Sequence, residues 1–84
     1  MEIEFKRSVL KQLKYYKKKK PLVYKMIYEK LEEIIENPND IRYEKVRKYP
    51  NYKRARKGSY RICFKVSDEC IYIGRIEERS KVYN

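Results

Sequence analysis

The stretch from Tyr52 to Arg61 reads Tyr-Lys-Arg-Ala-Arg-Lys-Gly-Ser-Tyr-Arg and leaves its backbone few options. Gly58-Ser59 is a two-residue corner with glycine first. A type II′ hairpin turn asks for that order, because its first central residue has a positive φ that glycine adopts without steric cost. The corner predicts a register: Lys57 opposite Tyr60, Arg56 opposite Arg61, Ala55 opposite Ile62 and Arg54 opposite Cys63. Side chains alternate along a strand. One face therefore carries Ala55, Tyr60 and Ile62 for a core, and the other carries Arg54, Arg56 and Arg61.

Two arginines opposed across a strand pair repel and cost stability. Three guanidinium groups about 5 to 7 Å apart by strand geometry present fixed donors matched to phosphate oxygens. Taken alone, the face is either a solvated surface of a basic protein or a site for a polyanion. The whole chain leans the same way, with 23 Lys+Arg against 12 Asp+Glu and a formal charge of +11. Nucleic acid, an anionic membrane surface and an acidic protein are the partner classes that charge favours.

Eighty-four residues make one domain with one modest core, spanning 1–84. No apolar run approaches the ~20 residues of a membrane span, and the N-terminus has no signal-peptide pattern, so a cytoplasmic protein without a membrane partner is expected. Histidine is absent, which removes the commonest acid–base group. Two cysteines are too few for a structural zinc site, and no metal or cofactor is expected. With Asp68-Glu69 as a turn, Cys63 is predicted opposite Gly74 and Cys70 opposite Ser67. The two are then not cross-strand partners, and both are expected as free thiols.

Elsewhere periodicity sets the elements. Ile3 and Phe5 alternate with Glu2 and Glu4, which predicts a first strand. Val9, Leu10, Leu13 and Tyr16 follow helical spacing from a start near Ser8, and Lys17 to Lys20 suit the end of that helix. Pro21 opens a second helix with Val23, Tyr24, Ile27, Leu31, Ile34 and Ile35 as its apolar face. Asn37-Pro38-Asn39-Asp40 stops it. Glu44 to Lys48 is a candidate strand, with Val46 and Tyr49 as candidate core. Tyr60, Ile62, Phe64 and Val66 share one face of the strand after the hairpin. Ile71 and Ile73 alternate with Tyr72, Gly74 and Ile76, a strand apolar on both sides that belongs inside the sheet. The predicted order is β-α-α-β-β-β-β: an α+β domain, mostly antiparallel, with a helical hairpin on one sheet face and the arginines on the open one.

This order and three motifs resemble the RelE/ParE toxin superfamily over nearly the whole chain. Phe5 to Leu13 is similar to that family's opening strand and first helix. Arg-x-Arg, a glycine turn and Tyr60-Arg61, with Phe64 beyond, resemble its central pattern. Arg79-Ser80-Lys81-Val82-Tyr83 resembles its closing Arg-x-x-Val-Tyr. The resemblance implies a RelE-like fold and the toxin of a type II toxin–antitoxin pair. It implies a ribosome-dependent endoribonuclease that needs no metal, in which the ribose 2′-hydroxyl attacks the adjacent phosphate of messenger RNA. It also implies an acidic, RelB-like antitoxin as partner. By position, Arg54 and Arg56 match residues that hold phosphates. Arg61 matches the arginine that stabilises the phosphorane-like transition state. Tyr83 matches a tyrosine credited with proton transfer or stacking, and Glu44 sits where some members place a general base. Lys45, Lys48, Lys53, Arg79 and Lys81 are the further RNA-contacting candidates.

One position departs from the family. Active members carry a basic residue six positions before the closing tyrosine, and here that residue is Glu77. Two other readings stand beside the ribonuclease: a ParE-like toxin, from the branch of the superfamily that poisons DNA gyrase, and a catalytically weak RNA- or ribosome-binding module, for which Glu77 is the argument.

Overall fold

The computed structural model describes residues 1–79. Lys81 and Tyr83 lie outside the described residues. The elements are β1 (Glu2–Phe5), α1 (Arg7–Lys19), α2 (Pro21–Glu36), β2 (Glu44–Lys45), β3 (Lys53–Lys57), β4 (Tyr60–Ser67) and β5 (Cys70–Glu78). They form a single five-stranded sheet in the order β1-β5-β4-β3-β2. Among the described residues, β1 and β5 pair in parallel and the other pairs are antiparallel.

Both helices run over the predicted residues. Lys6, not Ser8, is the N-cap of α1, and it makes no side-chain capping bond. Lys20 closes α1 and opens α2, and Pro21 follows as the first residue of α2, where its missing N–H costs nothing. The helical hairpin lays Val9, Tyr16, Ile27, Leu31 and Ile34 onto Ala55, Tyr60, Ile62, Phe64, Ile71, Ile73 and Ile76 as one continuous core. Gln12 donates from Nε2 to the carbonyl oxygen of Ile76 at 3.0 Å and ties α1 to β5. Leu10 and Ile35 lie on the outer side of the hairpin and are exposed.

The β3–β4 hairpin has the predicted register, Arg56 opposite Arg61 included. Gly58 has φ +60° and Ser59 has no positive φ, as a type II′ corner requires. At the next turn Asp68 and Glu69 both take left-handed φ values, 47° and 64°, the signature of a type I′ turn.

β5 departs from the expected pairing. Ser67 pairs Cys70 and Phe64 pairs Ile73, but Cys63 pairs Arg75 instead of Gly74. Gly74 is the extra residue of a β-bulge, which changes the phase of the strand. Ile76 then joins Ile71 and Ile73 in the core instead of sharing a face with Tyr72. Past the bulge, Arg61 lies opposite Glu77.

The 41–52 segment also differs. β2 is two residues long rather than five. Tyr43, which has no apolar periodicity around it, is a core residue, edge-on to Phe64 at 5.4 Å between ring centroids. Val46 is half-buried and Tyr49 is exposed, so neither belongs to the core. Three backbone bonds close the loop between β2 and β3: Val46 N–H to Tyr52 O at 3.0 Å, Tyr49 N–H to Val46 O at 3.2 Å, and Tyr52 N–H to Tyr49 O at 2.8 Å.

Candidate functional site

The sheet face away from the helices carries Glu44 from β2, Arg54 and Arg56 from β3, and Arg61, Cys63 and Lys65 from β4. From β5 it carries Tyr72, Arg75 and Glu77. Strand alternation makes this set follow from the core: Ala55, Ile62, Phe64 and Ile73 are buried, so their neighbours point outward.

The hairpin end of the face gathers Arg56, Arg61 and Arg79 around Gly58 and Ser59 in a small depression. The Arg79 backbone N–H donates to the carbonyl of Ser59 at 2.6 Å, which anchors the end of β5 to the turn. The opposed arginines are therefore real, and carboxylates flank them. Glu44 Oε1 lies 3.8 Å from an Arg56 terminal nitrogen, with both side chains more than half exposed. Glu77 lies opposite Arg61 across the β4–β5 pair. An ion pair this exposed contributes little stability, but it tempers the repulsion that the arginines would otherwise suffer.

Arg54 sits in a second, larger hollow of about 600 Å³, lined among others by Arg47, Lys48, Tyr49, Tyr52, Tyr72 and Arg75. Cys63 and Glu77 line its floor beside Arg54. Glu77 accepts a bond from Cys63 Sγ at 3.7 Å and lies 3.4 Å from Arg75 Nε. The Arg54 Nε is buried and has no hydrogen-bond partner among the described residues. Burial pushes the Cys63 thiol up, the Glu77 carboxylate adds to that, and the Arg54 guanidinium beside it pulls the other way. The thiol is therefore protonated at neutral pH and acts as a donor. Cys63 and Cys70 are both free.

Several candidate residues come together here and others do not. Arg54, Arg56, Arg61, Arg79 and Glu44 share the open face or its rim, and Lys48 lines the large hollow. Lys45 and Lys53 pair with each other, and Lys53 pairs with Phe64, so alternation puts both on the helix side of the sheet. That side faces away from the arginines. Lys81 and Tyr83 lie outside the described residues. Among the described residues, no group of three His, Cys, Asp or Glu could hold a metal ion, and no helix is long and apolar enough to cross a membrane.

The sequence reading missed the tyrosines of the large hollow. Tyr49 and Tyr52 meet at 6.4 Å between centroids and 76° between planes. The Lys65 ammonium sits 5.4 Å from the rings of both Tyr52 and Tyr72. Gly74 was the available signal: an isolated glycine inside a strand marks a bulge or a close approach, and here it is both. By contrast Tyr16, Tyr43 and Tyr60 are core residues, and burial raises each phenol above its ordinary pKa.

Comparison with known proteins agrees with this architecture. The family model described as the ParE toxin of the type II toxin–antitoxin system parDE matches residues 3–83. Among solved structures, the YoeB dimer of Staphylococcus aureus superposes with a TM-score of 0.79 at 23% identity, covering 92% of this chain and 94% of that one. The RelB–RelE antitoxin–toxin complex of Methanococcus jannaschii gives 0.69 at 28% identity, covering 96% and 95%. The intact Escherichia coli RelBE complex gives 0.75 at 22% identity, covering 92% and 94%. No curated protein matches.

Proposed function

The chain belongs to the ParE toxin family of type II toxin–antitoxin systems, within the RelE/ParE superfamily, and from that premise we propose that it is a ribosome-dependent endoribonuclease of the RelE kind, cutting messenger RNA without a metal ion in the cytoplasm. The observation that carries this reading is the group of Arg56, Arg61 and Arg79 around one depression, on a sheet face that no helix covers among the described residues. In the proposed reaction a bond forms between O2′ and phosphorus and the bond from phosphorus to O5′ breaks. Negative charge develops on the phosphoryl oxygens, where fixed cationic donors act most strongly.

Arg61 is assigned to that charge. Arg54 and Arg56 hold the flanking phosphates in line with the attacking oxygen. Glu44, 3.8 Å from an Arg56 terminal nitrogen, takes the proton from O2′, and Tyr83 is the second candidate for proton transfer. Arg79 and Lys48 contribute phosphate contacts. The partner is an acidic antitoxin, consistent with neighbours solved as toxin–antitoxin complexes.

Glu77 supports a second reading. It puts a carboxylate opposite Arg61 and ion-pairs Arg75, which lowers the positive potential at the proposed reaction centre. A ParE-like toxin acting on DNA gyrase, with no chemistry on RNA, would tolerate that. Incubating the pure protein with programmed ribosomes and mapping messenger RNA ends separates the two. New ends within the A-site codon are expected, and intact message together with inhibited gyrase supercoiling would replace the first reading by the second.

A further inference from the structure

The large hollow differs in chemistry from the arginine depression beside it. Its walls are aromatic. Tyr52 packs closely against Gly74: a Cβ on that residue would come within 2.8 Å of the Tyr52 ring. The bulge and the missing side chain thus make the space in which the ring rests. The closed 46–52 loop fixes Tyr52 to Tyr49 through the 2.8 Å backbone bond, and the two rings meet as a steep corner. Tyr49 is 61% exposed, a large aromatic surface held in place and left open to solvent. Around the corner stand Lys6, Arg47, Lys48, Arg54 and Arg75, against Glu77 as the one carboxylate among the lining residues.

A ligand for this hollow must offer a flat apolar ring and negative charge next to it. It must also continue, because Arg54 leads along β3 to Arg56 and on to Arg61 on the same face. Single-stranded nucleic acid has that repeat, and its binding sites combine aromatic platforms with a cationic track for the backbone. An acidic peptide would use the cations but gain little from two fixed, steeply inclined rings.

We infer that the corner formed by Tyr49 and Tyr52 is a stacking site for one unpaired RNA base, which Arg54 and Arg75 flank as contacts for its neighbouring phosphates. The site lies beside the proposed cleavage centre and would hold a base next to the bond to be cut. This inference rests on the reading that the chain's target is RNA. It does not require that the RNA be cleaved.

The test is binding, kept separate from cleavage. The probe is a single-stranded oligouridine hexamer with one 2-aminopurine, 2′-O-methylated so that it cannot be cut. With the native chain its fluorescence is expected to be quenched as the base stacks. Tyr49→Leu, at an exposed position, should fold normally, weaken binding about tenfold and remove most of the quench. Tyr49→Phe should keep both, since stacking needs the ring and not the hydroxyl. The salt dependence of affinity should be unchanged in Tyr49→Leu and shallower in Arg54→Gln, because only the second loses a phosphate contact.

Unchanged affinity and quench in Tyr49→Leu would overturn the site. So would a Tyr49→Leu chain that binds the hexamer normally but no longer binds an acidic antitoxin, which would make the corner a protein-docking surface. Quenching that depends on Tyr49, in a chain that leaves ribosomal messenger RNA intact, would keep the base site and reject the ribonuclease alone.

Discussion

The two faces of the sheet are made by the same strands and differ in almost everything else. Toward the helices, Ala55, Ile62, Phe64, Ile71, Ile73 and Ile76 are sealed from water. One residue away along the same backbone stand Arg54, Arg61, Cys63, Tyr72, Arg75 and Glu77. The covered face is held by burial, which is non-directional and tolerates similar shapes. The open face consists of charges and rings placed at particular points, and its cost in like-charge repulsion is met on the spot by Glu44 and Glu77. A domain of this size can keep an unfavourable charge arrangement on one face because the other face supplies the stability.

The comparison is broken most directly at Phe64. It is fully buried at the centre of the core, and Phe64→Ala should cost about 3–5 kcal/mol, read as a large drop in the urea midpoint. A loss below about 1 kcal/mol would mean that the covered face does not carry the stability. Arg61→Ala is the converse. Messenger RNA cleavage on ribosomes should fall about 10²-fold or more, while stability stays within about 0.5 kcal/mol of the native chain. An early-melting Arg61→Ala protein would make the residue structural, and unchanged cleavage would remove the arginine cluster as the active centre.

Gly74→Ala probes the point where the faces meet. The added methyl displaces the Tyr52 ring, so RNA affinity should drop several-fold and stability by about 1 kcal/mol. Equal affinity would show that the Tyr52 position is not needed. Thiol titration gives a smaller contrast. Two thiols per chain should react after denaturation, with Cys63 much slower than Cys70 in the native state, because Cys63 is buried beside Glu77 while Cys70 is only half-buried. Equal rates would mean that the open face is looser than its contacts imply.

The smallest effect belongs to neither face. Asp40 accepts from the Arg42 backbone N–H at 2.9 Å and from its guanidinium at 3.0 and 2.7 Å, which holds its carboxyl down at about 2. A depressed carboxylate stabilises the fold above its ordinary pKa, and that contribution is lost as pH falls toward the folded value. Asp40→Asn should therefore lower Tm slightly at neutral pH, and the gap should close at about pH 2. A gap independent of pH would mean the loop is held by something other than this ion pair.

The sequence by itself determined what local chemistry controls. Pro21 and the spacing of Val23, Ile27, Leu31 and Ile34 set α2. Glycine at position 58 set the corner, and the corner set the Arg56–Arg61 pairing. Each of these depends on residues a few positions apart, so a short stretch carries the whole reason. The tertiary structure decided what depends on distant partners. The bulge at Gly74 exists because β5 must present both Ile73 and Ile76 to helices far away in the chain, and no count of alternation within β5 reveals it. That shift puts Glu77 opposite Arg61 and sets Gly74 under Tyr52. The edge strand shows the same dependence. Whether Lys45 and Lys53 join the arginines or the helix side is fixed by their pairing with each other and with Phe64. Tyr43 is core because it packs perpendicular to the buried Phe64 ring, while Tyr49 is exposed because the 46–52 loop closes on itself and turns it outward. Which residues are cationic or aromatic is written in the chain. Which of them share a surface follows from how strands far apart in sequence pair.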